Sequence, residues 1–435
     1  MQVSVESLSS LERRMTVQVP AERVQDEVDR RLQSLTKRVR IDGFRPGKVP
    51  FKVVKKRYGD GVYQEVVSEL LQTSYHEALT QEKIVPAGAP EIEPRSMEAG
   101  QALEYVATFE VFPEVEPADM SGVAIQRPQV EVSDADVDRV IDSLRRQRRE
   151  WDDVERPAAD GDQVVIDFEG TIDDEPFDGN KGEDMAIELG AGRMIPGFEE
   201  QLTGVQPGEE KSIRVTFPED YPAGNLAGRE AVFSIRVKHV REGRLPEVDE
   251  DFARAFGIEE GGVEKLRQEV RGNMEREMNQ AVKARIKDQV MDALLERNPI
   301  EVPESLVKEE INRLKEQAQG RYGAAQEGEN ADEGYRDEAR RRVILGLVIR
   351  EIVRRQEIQV DPERVQAELE SMASSYQDPQ QVISYYRSNK QAMETLEAMV
   401  LEQQVVDWVL QQCQVNDEPT SFDALMNPSP ENESS

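Results

Sequence analysis

The chain has 435 residues, with 88 acidic against 55 basic side chains, a formal net charge of −33, and only 37% apolar and 6% aromatic content. That length exceeds one ordinary domain and points to about three, and the charge argues against nonspecific adhesion to nucleic acid or anionic membrane over most of the surface. A single cysteine, Cys413, and two histidines, His76 and His239, rule out a disulfide within the chain and leave no expectation of a bound metal or cofactor.

The N-terminal residues 1–7 carry no apolar signal region, and no window approaches the roughly 18 uninterrupted apolar residues of a membrane span. The expectation is a cytoplasmic protein of a reducing compartment with no membrane partner. Residues 1–20 read as two short strands, Val3 and Val5 alternating with polar neighbours, then Met15, Val17 and Val19. Pro20 ends the second, and Val24, Val28, Leu32 and Leu35 mark a helix over 21–40.

The loop Gly43-Phe44-Arg45-Pro46-Gly47-Lys48-Val49-Pro50 follows. It lies in a basic island: residues 30–60 hold 11 Lys and Arg against Asp42 and Asp60. An inversion of charge that large marks a surface for something anionic. Two plainer readings stand beside it. Gly43 and Pro50 could simply cap helices, with the cations as a solvated face. Alternatively Arg45, Lys48, Lys52, Lys55, Lys56 and Arg57 could neutralise phosphates of an RNA, although few stacking partners stand beside Phe44.

Pro50 opens a long helix with Val66, Leu70, Leu71 and Tyr75 on one face, and residues 84–114 form a hairpin that closes a small α+β domain at about Pro113. Residues 114–160 read as a connector, with a helix start at Ser133-Asp134-Ala135-Asp136. At Gly161 the texture changes to strands with Gly and Pro turns, a β-rich domain over 161–246. Its inward set is Phe168, Phe177, Ile187, Met194, Ile195, Phe198, Phe217, Tyr221 and Phe233. Plain core explains any one of these, but Met194-Ile195-Pro196-Gly197-Phe198 at a helix mouth and Tyr221 in a loop put apolar groups where function is carried.

From 247 to 414 the chain reads as helical. In the series Leu266, Val270, Met274, Met278, Val282, Ile286, Val290, Leu294 each step is four residues, about 400° at 3.6 residues per turn. The apolar line therefore winds about the helix and meets different neighbours along it. Residues 415–435 are rich in Asn, Asp, Pro, Ser and Glu and are expected to be disordered. His76, His239, Cys413, Trp151 and Trp408 support no functional reading, and no GxxxxGK[ST] occurs, so nucleotide-driven cycling is not indicated.

Ile166-x-Phe168-x-Gly170, Phe177-Asp178, Glu188-Leu189-Gly190, Met194-Ile195-x-Gly197-Phe198, Gly208-Glu209 and Tyr221-Pro222 stand in an order and spacing that resemble the FKBP family of peptidyl-prolyl isomerases. The resemblance implies a proline pocket lined by Phe168, Phe177, Asp178, Met194, Ile195, Phe198, Tyr221 and Phe233. Phe198 stands where many FKBPs have Trp, and Phe168 where they have Tyr, and both keep the pocket apolar. No bond to substrate forms in such a reaction, so no nucleophile, metal or general base is required.

With the loop motif in an N-terminal α+β domain and a helical domain at the other end, the whole chain to about residue 412 is similar to the trigger factor family of bacterial ribosome-associated chaperones. The resemblance implies a multidomain α+β protein in three parts. These are an N-terminal ribosome-docking domain (1–113), an FKBP-like antiparallel sheet with a short helix, and an extended all-α chaperone domain assembled from 114–160 and 247–414. It implies docking on ribosomal protein and rRNA beside the exit tunnel through Gly43, Phe44, Arg45, Gly47 and Lys48. It also implies ATP-independent binding of nascent and unfolded chains, with a role in folding and export. Met274, Met278, Met291, Met372, Met393 and Met399 then become either core or an adaptable cradle, and apolar cradle surface would favour a homodimer off the ribosome. A dedicated isomerase and an RNA-binding protein remain as alternatives.

Overall fold

The computed structural model describes residues 1–435 apart from 43, 45–48, 174, 222, 323–330, 375, 377 and 428–435. It divides into two compact units, residues 1–127 with 283–418, and residues 128–282 with 419–435.

In the first unit, β1 (Gln2–Ser7), β2 (Glu12–Val19), α1 (Ala21–Thr36), α2 (Phe51–Glu82), β3 (Glu91–Ser96) and β4 (Leu103–Glu110) follow in order. The four strands form an antiparallel sheet in the order β1-β2-β4-β3, with Val17 opposite Tyr105 and Met15 opposite Ala107. Alternation puts Met15, Val17, Val19, Leu103, Tyr105 and Phe109 on one face, where Val24, Val28 and Leu32 of α1 and Val54, Val62, Val66 and Leu70 of α2 pack against them. Fully burying one such side chain contributes about 1.5–3 kcal/mol. The polar Tyr105 is tolerated there because its hydroxyl meets Ser74 Oγ at 2.9 Å.

The strand β5 (Ala124–Gln129) leads into α3 (Asp134–Gln147), which starts where its residues dictate. Ser133 Oγ accepts from the Asp136 N–H at 3.3 Å while the Asp136 carboxylate accepts from the Ser133 N–H at 2.9 Å. Then come β6 (Glu150–Val154), β7 (Gln163–Ile172), β8 (Glu175–Glu188), α4 (Phe198–Leu202), β9 (Glu210–Thr216) and β10 (Glu230–Arg244), a five-stranded antiparallel sheet. β9 pairs with the first half of β10 and β6 with its end, Val240 facing Val154. The connector expected over 114–160 is corrected here. Residues 150–154 are a strand of this sheet, and Val154 packs on its core. Glu150-Trp151-Asp152-Asp153-Val154 hides that role because only one strand, β10, requires anything of it.

Helix α5 (Glu250–Ala255) is capped by Asp249, which accepts from the Phe252 N–H at 2.8 Å. The winding apolar line of α6 (Gly262–Arg297) behaves as its spacing predicts: Leu266, Val270 and Met274 pack with Val137, Ile141 and Phe252, whereas Val290 and Leu294 pack with Val348, Ile352 and Val409. Helices α7 (Glu304–Tyr322), α8 (Ala331–Arg355), α9 (Pro362–Ala373), α10 (Pro379–Ser388) and α11 (Lys390–Leu410) complete the helical region. Helix α7 is anchored to the N-terminal sheet of its own unit. The Glu110 carboxylate accepts from the N–H groups of Glu304 at 2.9 Å and Ser305 at 2.8 Å, which sit at a helix start where anions are favoured. Burial alone would raise this carboxyl, but the Ser305 and Glu304 donors hold it below its ordinary value.

The expectation of disorder over 415–435 is corrected for residues 415–427, and its remainder, 428–435, lies outside the described residues. Strand β11 (Gln414–Pro419) pairs with β5, the Gln414 N–H donating to Val123 O at 2.8 Å, and α12 (Phe422–Met426) follows. Phe422 packs against the cluster of Val137, Ile141 and Leu266, and Leu425 is buried. The segment cannot build a core of its own, yet an open strand edge and two apolar anchors suffice to order it. Among the described residues no helix is long and apolar enough to cross a membrane.

Candidate active site

The second unit brings most of the residues singled out in the FKBP-like region together. The register sets Ile235 opposite Phe168 and Phe233 opposite Gly170, so Ile166, Phe168, Phe233, Ile235 and Val237 share the inner face. Phe233 is the hub. Its ring centroid lies 5.8 Å from Phe168, 6.1 Å from Phe177 and 5.4 Å from Phe198, at interplanar angles of 63°, 84° and 76°. These edge-to-face contacts set the positive ring edge against the negative ring face and add roughly 0.5–1.5 kcal/mol each beyond area burial.

Burial grades across the cluster. Phe198 and Phe233 are 1% and 5% exposed, while Phe168, Phe177, Met194, Ile195 and Tyr221 are half-buried and pack on the same core. The result is an apolar bowl, its floor closed and its rim open to solvent. Asp178, next to Phe177 on β8, is exposed, and its carboxylate has no hydrogen bond or ion pair among the described residues.

Two glycines make room for the rings. A Cβ on Gly170 would lie 2.6 Å from the Phe233 ring, and one on Gly182 would run into the Phe168 ring. Where those glycines sit, β8 shifts register against β7, and Asn180 Nδ2 spans the irregular stretch by donating to Gly170 O at 2.7 Å.

Sequence reasoning assigned no role to Glu199 or to Phe217 beyond core. The Glu199 carboxylate, 7% exposed, accepts four backbone N–H bonds, from Gly190 at 3.0 Å, Gly192 at 2.9 Å, Arg193 at 2.8 Å and Met194 at 2.9 Å. Burial pushes its pKa up, but the four donors outweigh burial and hold it below the ordinary 4.5. This one side chain therefore shapes the loop that presents Met194 and Ile195. A signal was present: two glycines precede an acid in the first turn of a helix. Phe217 meets Phe177 at 5.9 Å and Tyr221 at 4.8 Å, and its own N–H and carbonyl close the loop that carries Tyr221 through Arg229 and Gly228.

In the basic N-terminal segment, Phe44 is 41% exposed, and its N–H donates to Ile41 O at 3.1 Å. Buried Ile41 and Val49 fix both ends of the loop, and Lys52, Lys55, Lys56 and Arg57 are exposed on α2. Gly43, Arg45, Gly47 and Lys48 lie outside the described residues. Of the methionines, Met274 and Met291 are buried core, Met278, Met372 and Met393 are half-buried, and Met399 is exposed, as are Tyr376 and Tyr385.

Residues 154–238 match the family model for FKBP-type peptidyl-prolyl cis–trans isomerases, so a sheet and bowl of this kind make the second unit the seat of a prolyl isomerase. Residues 1–144 and 262–411 match the models for the bacterial trigger factor protein and its C-terminus. The chain is 63% identical over 98% of its length to the trigger factor of Thioalkalivibrio sulfidiphilus, covering 98% of that protein. It is 51% identical over its whole length to that of Alkalilimnicola ehrlichii, covering 97% of that protein. A solved structure of the trigger factor chaperone aligns with 94% of this chain and 99% of its own at 22% identity and a TM-score of 0.49. The chain belongs to the trigger factor family. It is a multidomain α+β chaperone that carries an FKBP-type prolyl isomerase domain.

Proposed function

We propose that the bowl of Phe168, Phe177, Met194, Ile195, Phe198, Tyr221 and Phe233 receives the proline ring of an unfolded segment and is where isomerisation occurs. The observation that carries this reading is the contact of Phe233 with three rings of graded burial. Rotation about X–Pro meets a barrier of about 18–20 kcal/mol because the twisted amide loses resonance. The planar amide is the more dipolar, and water solvates it well. A dry apolar bowl withholds that solvation and so favours the twisted form relatively. Tyr221 stands on the rim with its hydroxyl unshared among the described residues, which leaves it able to donate to a flanking carbonyl. Asp178, exposed beside Phe177 on β8, belongs to the rim of the same site.

Residues 43–50 dock the protein on the ribosome, the exposed Phe44 as apolar anchor with Arg45 and Lys48 as charge partners, and Lys52, Lys55, Lys56 and Arg57, exposed on α2, add to the positive charge. The family implies ribosome and nascent-chain binding in the cytoplasm, and that setting suits a chain that is acidic elsewhere. The half-exposed methionines and tyrosines of α9–α11 hold clients, and the same surface supports self-association of the free protein. No cofactor enters any of these steps.

Co-sedimentation with ribosomes of a variant with Phe44, Arg45 and Lys48 all replaced by alanine tests the docking assignment. Binding should drop at least tenfold and lose much of its salt dependence. Unchanged co-sedimentation, or equal affinity of the unmodified protein for arbitrary RNA, would sink it in favour of general RNA binding.

A further inference from the structure

Beside the bowl, and within the same unit, lies a second cleft of about 490 Å³. The end of α3, β6, the edge strand β8 and the loop before α4 surround it, and Arg146, Arg149, Trp151, Met185, Arg193 and Met194 line it. Its chemistry is mixed in a particular way. Arg149 stands over the Trp151 ring, its Cζ 5.2 Å from the centroid, and is paired with Glu188 at 2.5 Å, so it serves as part of the wall. Arg146 and Arg193 are exposed, and neither guanidinium has a carboxylate partner among the described residues. Met185 adds an apolar face at 38% exposure, on a strand whose outer edge has no partner strand among the described residues.

Met194 belongs to both sites: it lines this cleft and packs on the core of the bowl. A polypeptide with its proline in the bowl would thus have the unpaired Arg146 and Arg193 and the apolar Met185 within reach. We propose that this cleft is a specificity subsite that takes an acidic side chain of the client polypeptide near the proline. The proposal rests on the bowl being the proline site. Arg146 and Arg193 supply the charge recognition, Trp151 and Met185 receive the aliphatic stem, and the paired Arg149 fixes the Trp151 ring. The bowl would accept any proline segment, and the cleft would rank such segments by charge.

The chain has two tryptophans, so the full-length Trp408→Phe variant leaves Trp151 as a direct reporter. The probes are proline peptides with Glu, Ala or Lys at each of the four positions flanking the proline in turn. Exposed charge pairs of this kind support discrimination of up to roughly fivefold. At one or more positions the Glu peptide should bind that much more tightly than the Lys peptide and have the higher kcat/KM. Arg146→Glu with Arg193→Glu should reverse the order. Equal affinity for Glu and Lys peptides at every position overturns the proposal, and so does a preference that survives the charge reversal. Tyr221→Ala separates the two readings. If it isomerises Ala peptides as the unmodified protein does, the bowl assignment fails, whatever the charge ranking shows.

Discussion

Two regions of this molecule offer apolar groups to solvent, and they do so differently. In the sheet unit the rings converge: Phe233 alone touches three others, the floor is closed, and the rim is held by Glu199 and the Phe217 loop. In the helical region they disperse. Tyr376 and Tyr385 are 61% and 56% exposed, Tyr385 has only Tyr386 as an aromatic neighbour among the described residues, and Met399 stands on another helix. A converging site can distinguish planar from twisted amide, because its shape is fixed before the ligand arrives. A dispersed surface discriminates little, which suits clients of many sequences. Fold stability follows the same division: changes in the bowl should be costly, and changes on the helical surface nearly free.

The largest effect is expected at the floor. Phe198→Ala removes a buried ring and should destabilise the sheet unit by about 3–5 kcal/mol. Thermal unfolding should show that unit melting early, with isomerase activity lost. A melting profile unchanged from the unmodified protein would mean the ring is not a keystone. Next, Gly170→Ala forces Phe233 to move, and overpacking of this kind costs about 1–3 kcal/mol. Activity should fall more than stability does, measured as kcat/KM on a proline peptide beside a denaturant titration.

Glu199→Gln should come third. One amide in place of a carboxylate presents a donor to N–H groups that need acceptors, a loss of about 1–3 kcal/mol. The pH dependence has a definite sign. The folded pKa of Glu199 lies below the ordinary 4.5, so its contribution is present above pH 4.5 and fades as pH falls through the lower folded value. Stability of the sheet unit measured between pH 6 and 3 should fall less steeply in the Gln variant than in the unmodified protein. Equal slopes would show that the four hydrogen bonds do not govern the loop. The smallest effect belongs to the helical surface. Tyr376→Ser with Tyr385→Ser should change stability by less than about 0.5 kcal/mol, leave prolyl isomerisation intact and weaken suppression of client aggregation.

Much of the sheet was legible because it obeys period two. Ile166 and Phe168 alternate with Asp167 and Glu169, as do Ile213 and Val215 with Ser212 and Arg214, and the aromatic residues they align are the bowl. The four-residue steps of α6 likewise foretold its change of partners. What escaped was whatever depends on a partner distant in sequence. Strand 150–154 is defined by the end of β10, and the segment 414–426 by the free edge of β5 and a cluster it did not build. Glu199 looked like one more solvated acid among 88 because its partners are backbone groups, which carry no residue-type signal. Asp178 is named by its place in the motif alone: it is exposed and polar, so neither period two nor burial marks it.

The division of labour between converging bowl and dispersed helical surface is tested most directly by one paired measurement. Full-length Phe177→Ala/Tyr221→Ala removes the two half-buried rim rings and keeps the buried Phe198 and Phe233. It should be assayed in parallel for isomerisation of a proline peptide and for suppression of aggregation of a client that folds without proline isomerisation. The expected result is at least a tenfold loss of isomerase activity with aggregation suppression retained. Loss of both together would contradict the account and make the bowl the chaperone site as well.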